Sequence, residues 1–179
     1  MAARREVLLA TIAAGGGHVA TARAMAEAVE EASGGELTAR VVDVMAEHAP
    51  RLDARHKAGW RTMLARPWLV RASQRAMDAA PALSRAVQNA VLRGFTRRVT
   101  AALNAAPPAL VVVNHGWLAT AFTEARLRFG LASRVVVFAT EPFDASALWS
   151  APGAETVLAP SAAAAEDLRR LGVRPEALH

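Results

Sequence analysis

The apolar run from Val7 to Ile12 is followed by two alanines and then by Gly15, Gly16, Gly17 and His18. Such a run is typical of a strand buried in a parallel sheet, and helical spacing begins directly after the glycines. The free N–H groups at the start of a helix favour negative charge, and glycines let a diphosphate or a sugar approach the main chain. His18 would then lie at the mouth of a ligand site.

The spacing of these glycines differs from the dinucleotide-binding fingerprint, and no Lys-Ser or Lys-Thr pair follows as in a P-loop. Two interpretations therefore remain at this stage. In one, the glycine loop faces a diphosphate or a sugar. In the other, the glycines only shape a tight turn between strand and helix, and His18 is a solvated residue near the helix start.

Polar side chains also follow the other strands that the sequence predicts, at the sheet edge where α/β proteins bind ligands. The residues that we expect at this edge are Asp43, Asn114, His115, Glu141 and Asp144. Asn114 and His115 would contact a ligand or cap the next helix, and for Asn114 the capping role is favoured. Glu141 and Asp144 would orient a catalytic imidazole or lie in water. We expect no metal site, because His18 and His115 have no close-spaced pair of ligands.

The formal net charge of +5 is unevenly distributed along the chain. Residues 51–98, called the basic block below, contain eleven Lys or Arg residues and two acidic residues. Trp, Met, Leu and Val are interleaved with the cations, which suits an anionic membrane surface but also an ordinary solvated helical face. Nucleic acid is disfavoured, because the aromatic residues lie among aliphatic ones. The side chains that would face a membrane are Arg55, Lys57, Trp60, Arg61, Arg66, Trp68 and Arg71.

Strands and helices alternate along the chain. The pattern predicts strands at about 6–13, 37–44, 109–114, 134–139 and 156–159. Single helices are predicted at about 18–33, at about 117–129 and after Ser161. A longer helical region is predicted across residues 51–106, with breaks near Pro67 and Pro81. Continuous Val, Ile and Leu runs separated by helices predict a parallel sheet with helices on both faces. We therefore expect a Rossmann-like α/β domain with a helical insertion after the second strand.

Length and composition limit the remaining classes. The chain of 179 residues is long enough for one domain with a substantial core, and it has no cysteine for a disulfide or a thiolate site. It also lacks an apolar stretch of about 18 residues. We expect a cytoplasmic protein, either free or lying on a membrane without crossing it.

Several segments together resemble a known enzyme family. The opening motif is Gly15 to His18, with Thr21-Ala22-Arg23-Ala24 and Ala26-Glu27-Ala28 on the following helix. The later segments are Val41-Val42-Asp43, the basic block, the strand at 109–113, the loop from Thr140 to Trp149, and Leu171-Gly172-Val173 through His179. In this order they resemble the N-terminal domain of the monogalactosyldiacylglycerol synthases and the related processive diacylglycerol glucosyltransferases.

The resemblance implies a two-domain glycosyltransferase of the GT-B type, inverting and independent of metal. Its N-terminal half receives a diacylglycerol acceptor, and its C-terminal half binds the UDP-sugar donor, so no separate cofactor is implied. His18 would be the general base on the acceptor hydroxyl, and the glycine loop would face the diphosphate. Trp149 belongs to the implied acceptor loop, in which Glu141 replaces the aspartate usual in the family and Ser146 its histidine.

The sequence ends at His179, about where the family begins its linker to the donor domain. We therefore expect residues 1–179 to be an acceptor domain that transfers no sugar without a donor domain, in cis or in trans. Its expected location is peripheral, on the inner face of the plasma membrane. Two alternatives stay open: a non-catalytic module that binds a membrane or a partner, and half of a glycosyltransferase for a non-lipid acceptor.

Overall fold

Five parallel strands form one sheet at the centre of the fold. The computed structural model describes residues 5–143, 145–149 and 153–179. The strands are β1 (Arg5–Thr11), β2 (Leu37–Asp43), β3 (Leu110–Val113), β4 (Arg134–Phe138) and β5 (Thr156–Leu158), in the spatial order β2-β1-β3-β4-β5. The predicted Rossmann-like α/β class is confirmed. The strand order reverses between β1 and β3, which opens a crevice at the carboxyl ends of these two strands.

Alternate residues of the central strands pack into two separate cores. Leu8, Ala10 and Val111 point to one side of the sheet, where they pack with residues of the helices that follow β2 and β3. Val7 and Leu9 point to the other side, toward the helix that follows β1. Because both faces of these strands are buried, their sequences are continuously apolar rather than alternating.

The helices in chain order are α1 (Gly16–Ala32), α2 (Val44–His48), α3 (Pro50–Leu64), α4 (Pro67–Ala79), α5 (Pro81–Ala105), α6 (Gly116–Arg128) and α7 (Ala162–Arg170). The insertion after β2 therefore comprises α2 to α5. Proline opens α3, α4 and α5, since a residue without an N–H group costs nothing at a first helical position. The breaks predicted near Pro67 and Pro81 are confirmed. The insertion begins earlier than predicted, because Asp43 ends β2 and at once caps α2.

A partly buried ion-pair cluster ties the insertion to the sheet. Lys57 Nζ on α3 lies 2.8 Å from a carboxylate oxygen of Asp43 and 2.8 Å from one of Asp53. Asp43 also accepts hydrogen bonds from the N–H groups of Ala46 and of Ala13, both at 3.0 Å. The cluster thus links α3 to the end of β2 and to the segment that follows β1.

The charges of this cluster stabilise one another. Burial by itself raises the pKa of Asp43, but the hydrogen bonds from Lys57 and from the two backbone amides leave that pKa below its usual value. Burial lowers the pKa of Lys57, and the two carboxylates more than reverse this effect, so that it lies above its usual value. The sequence places Lys57 among the membrane-facing residues, whereas in the structure two carboxylates of the same chain hold its ammonium group.

Among the residues that the structure describes, no helix is both long enough and apolar enough to span a bilayer.

We expect Lys57→Met to lower the free energy of unfolding by about 1–3 kcal/mol at pH 7, because two largely buried carboxylates lose their counter-charge. Since its pKa is lowered in the folded state, ionised Asp43 contributes stability above the ordinary aspartate pKa of about 4. That contribution is lost as pH falls through the lowered value. The stability difference between wild type and variant should therefore narrow below about pH 4, as measured by urea unfolding at pH 7 and pH 3.

The control is Arg61→Met on the same helix, where the side chain is exposed. We expect it to change the free energy of unfolding by less than about 0.5 kcal/mol. Equal losses in the two variants, or a difference that does not depend on pH, would contradict the role given to Lys57.

Candidate functional site

The site lies at the crevice between β1 and β3, where His18 is held by two neighbouring strand ends. The side-chain amide of Asn114, directly after β3, donates a hydrogen bond of 2.6 Å to the carbonyl oxygen of His18. Thr140 Oγ1, after β4, lies 3.3 Å from His18 Nδ1. The backbone of His18 is thus anchored by one strand end and its ring is oriented by another.

The glycine loop leaves backbone amides open to a ligand. Gly15 precedes α1 in an extended conformation, and no side chain caps the first turn of this helix. Gly15, Gly16 and Gly17 are exposed, and a Cβ atom built on any of them would have no neighbour within 4 Å. None of the three has a positive φ, so the backbone conformation does not require glycine here. What the glycines provide is access to the uncapped N–H groups at the start of α1.

Next to His18 a cavity of about 800 Å³ opens between the sheet edge and the helical insertion. Its polar lining residues near the glycine loop are His18, Thr21, His56, His115 and Thr140. Its apolar lining residues include Leu52, Trp60, Met63, Met77, Val91, Trp117 and Leu148. The cavity therefore has a polar end at His18 and apolar walls from α3, α4 and α5, which suits a ligand with one polar end and an apolar body.

Three imidazole rings adjoin one another at the polar end. The centroid of the His115 ring lies 4.8 Å from that of His18 and 5.3 Å from that of His56. The His56 ring also packs on Trp117, with 4.4 Å between centroids. Sequence reasoning did not identify His56, because its α3 position becomes part of the site only when α3 lies over the sheet edge.

Burial keeps these imidazoles neutral. It lowers the pKa of His18 below the ordinary value of 6.5, and a backbone hydrogen bond with Asn114 only partly opposes this. It also lowers the pKa of His56, against the attraction of Asp53. The pKa of His115 falls furthest, through burial and the neighbouring rings of His18 and His56. A neutral imidazole can accept a proton, so the cluster has the charge state that a general base needs at pH 7.

Asn114 and His115 have separate roles in the structure. The cap of α6 is His115 and not Asn114, because His115 Nδ1 accepts the N–H of Trp117 at 3.2 Å. Asn114 instead contacts His18, and its own side-chain oxygen is buried without a hydrogen-bond partner.

The loop after β4 packs beside the cavity and is fastened to α4. The indole N–H of Trp149 donates to Glu141 Oε2 at 2.7 Å, and the Trp149 ring lies 6.5 Å from that of His18. Asp78 of α4 accepts the N–H of Ala147 at 2.8 Å. Burial raises the pKa of Glu141, which hydrogen bonds from Trp149 and Ser146 partly oppose.

The predicted orienting roles are changed accordingly. Glu141 holds the Trp149 indole, while Thr140 lies beside the ring of His18. Asp43 belongs to the ion-pair cluster with Lys57 and not to the cavity lining. The predicted site residue Asp144 lies outside the described residues.

The basic block divides between the cavity and the outer surface. Arg55 and Trp60 line the cavity. Arg61, Arg66 and Arg71 are exposed, as are Leu64 and Trp68, which are 55% and 65% exposed. Within the described ranges, no group of three or more His, Asp or Glu side chains is arranged to hold a metal ion.

No protein-family model matches the chain, and no curated protein is significantly similar to it in sequence. The chain is a Rossmann-like α/β protein with an amphipathic cavity at the switch point of its sheet.

Proposed function

We propose that this chain is the acceptor-binding half of an inverting glycosyltransferase that moves a hexose from a UDP-sugar to the hydroxyl of a diacylglycerol-type lipid. The observation that carries the proposal is the position of His18. It lies where the open glycine loop meets the polar end of a mostly apolar cavity. A group that must touch an apolar acceptor and a charged donor at once needs this position.

The cavity suits an amphipathic acceptor. Its volume of about 800 Å³ is within the range of small-molecule sites, and the walls from Met63, Met77 and Val91 can receive hydrocarbon. Each methylene group buried from water contributes about 0.8 kcal/mol, so acyl chains would supply most of the affinity. The glycerol hydroxyl would then remain at the polar end, next to His18.

The chemistry follows from this arrangement. The acceptor oxygen attacks the anomeric carbon as His18 removes its proton, and the bond from that carbon to the UDP oxygen breaks on the opposite face. His18 becomes imidazolium, and UDP leaves with the bonding electron pair. The amides of the glycine loop and the start of α1 face the departing diphosphate, where negative charge increases. The donor's uridine and sugar are left to a second half of the enzyme, in cis or in trans.

The outer surface of the basic block supports a membrane as the source of the acceptor. Leu64 at the end of α3 and Trp68 on α4 are exposed, as are Arg66 between the two helices and Arg71 on α4. Apolar side chains surrounded by arginines suit an anionic bilayer surface, with the apolar groups in the interface and the cations at the headgroups. We therefore propose a peripheral location on the cytoplasmic face of the plasma membrane.

His18→Ala should abolish most of the transfer in an enzyme completed by a UDP-sugar-binding half. We expect the rate of sugar transfer to dioctanoylglycerol to fall by about 10²–10⁴-fold, because the acceptor hydroxyl loses its base. Binding of dioctanoylglycerol, followed by tryptophan fluorescence, should change by less than about threefold, since the apolar walls are intact.

The matched control for this variant is His48→Ala on α2, whose side chain does not line the cavity. It should retain wild-type transfer. Full activity of His18→Ala would refute the role of the base. Binding of a soluble acceptor in place of diacylglycerol would favour the non-lipid alternative.

Flotation with liposomes tests the membrane surface without any donor half. The chain should float with vesicles that contain anionic lipid, and the bound fraction should fall as salt screens the arginines. Leu64→Ser should reduce the bound fraction severalfold. Leu127→Ser is the matched control, because Leu127 is 64% exposed but lies on α6, outside the basic block. Equal effects of the two variants, or no flotation of the wild type, would contradict this surface.

A further inference from the structure

Gly59 is a glycine in the interior of a helix, where glycine is unfavourable. It lies ten residues into α3, which ends at Leu64. Glycine destabilises a helix interior relative to alanine, because its unfolded backbone has more freedom to lose. Gly59 has no positive φ that would require glycine. Local backbone structure therefore gives no reason for this residue type.

The cavity gives a reason. Gly59 lines it, between the side chains of His56 and Met63 on the same helix. Gly59 is exposed at the cavity wall, and a Cβ atom built on it would have no neighbour within 4 Å, so the space next to its Cα is open. Arg55, Trp60 and Met63 on the same helix also line the cavity. Any side chain larger than hydrogen would occupy space at the cavity wall.

We infer that Gly59 is a specificity-determining position, whose missing side chain leaves room for the acyl chains of the acceptor and so sets the chain length that the cavity accepts. The inference rests on the proposed function, because it assumes a diacylglycerol-type ligand. His18 selects for a hydroxyl at the polar end, whereas Gly59 selects for the size of the apolar body.

A leucine at position 59 would occupy the space that several methylene groups of the ligand would otherwise fill. Each methylene that loses its place in the cavity should weaken binding by about fourfold. The loss should fall on ligands long enough to reach Gly59 and should spare shorter ones. A change in the ratio of the affinities for a long and a short ligand indicates lost space next to Gly59 more specifically than an equal loss of affinity for both.

The chain offers a matched control in Gly94. This glycine also lies in a helix interior, on α5, but does not line the cavity. A Cβ built there would meet only an ordinary contact, at 3.6 Å from an Arg98 nitrogen. Gly94→Leu therefore tests what a new leucine on a helix does away from the cavity.

The experiment measures the affinities of dihexanoylglycerol and dioctanoylglycerol for the wild type, Gly59→Leu and Gly94→Leu by tryptophan fluorescence. The wild type should prefer dioctanoylglycerol. In Gly59→Leu this preference should fall at least tenfold, with the affinity for dihexanoylglycerol kept within about threefold. Gly94→Leu should keep the wild-type ratio. Gly59→Ala should raise the urea midpoint of unfolding, which would show that the fold does not need the glycine.

Two failures can be told apart. If both diacylglycerols bind the wild type and Gly59→Leu leaves their affinity ratio unchanged, or weakens both equally, the inference about Gly59 is wrong and the proposed function stands. If neither diacylglycerol binds the wild type, the proposed acceptor is wrong, and the inference falls with it.

Discussion

The position of helix α3 depends on the ammonium group of Lys57, which bridges Asp43 at the end of β2 and Asp53 on α3 itself. Asp43 in turn accepts the N–H of Ala13, in the segment that leads to the glycine loop. One partly buried charge cluster thus links the sheet edge, the segment before the glycine loop and the first long helix of the insertion. The cavity exists because α3 is held over the sheet edge, and His56 and Gly59 reach the site on the same helix.

The site combines neutral imidazoles with polar atoms that lack partners. Within the described residues, the buried polar atoms without a hydrogen bond include Thr11 Oγ1, Asn114 Oδ1 and His56 Nε2. Thr11 ends β1 and Asn114 follows β3, so these atoms lie close to the crevice.

Much of the fold could be predicted from the sequence because its signals are local. Valine-rich runs such as 110–113 and 134–138 specify buried strands by themselves, and Pro67 and Pro81 specify helix starts. The parallel sheet then brings the residues that follow β1 and β3 to one edge, which is why His18, Asn114 and His115 could be placed together. The five-residue helix α2 was missed, because it is too short to show a helical period.

The rest of the site depends on how the helices of the insertion pack against the edge of the sheet, which no local sequence pattern predicts. Lys57 is a basic residue in a basic block by sequence, yet in space it is the counter-charge of two carboxylates. Glu141 follows β4 as predicted, but its partner is the indole of Trp149 rather than an imidazole. His56 has no sequence signal at all. The first and third differences depend on the path of α3, whereas the contact between Glu141 and Trp149 lies within one loop and depends on how that loop turns.

The central claim is that neutral His18 meets the acceptor hydroxyl at the polar end of the cavity. The measurement that tests it most directly is NMR of the His18 imidazole in the chain saturated with dioctanoylglycerol labelled with ¹³C at the hydroxyl-bearing methylene. The account predicts a neutral ring at pH 7, with a pKa below 6.5, and a nuclear Overhauser effect between the labelled methylene and the His18 ring. A ring that is protonated at pH 7, or a labelled methylene that contacts Trp68 on the outer surface and not His18, would contradict it.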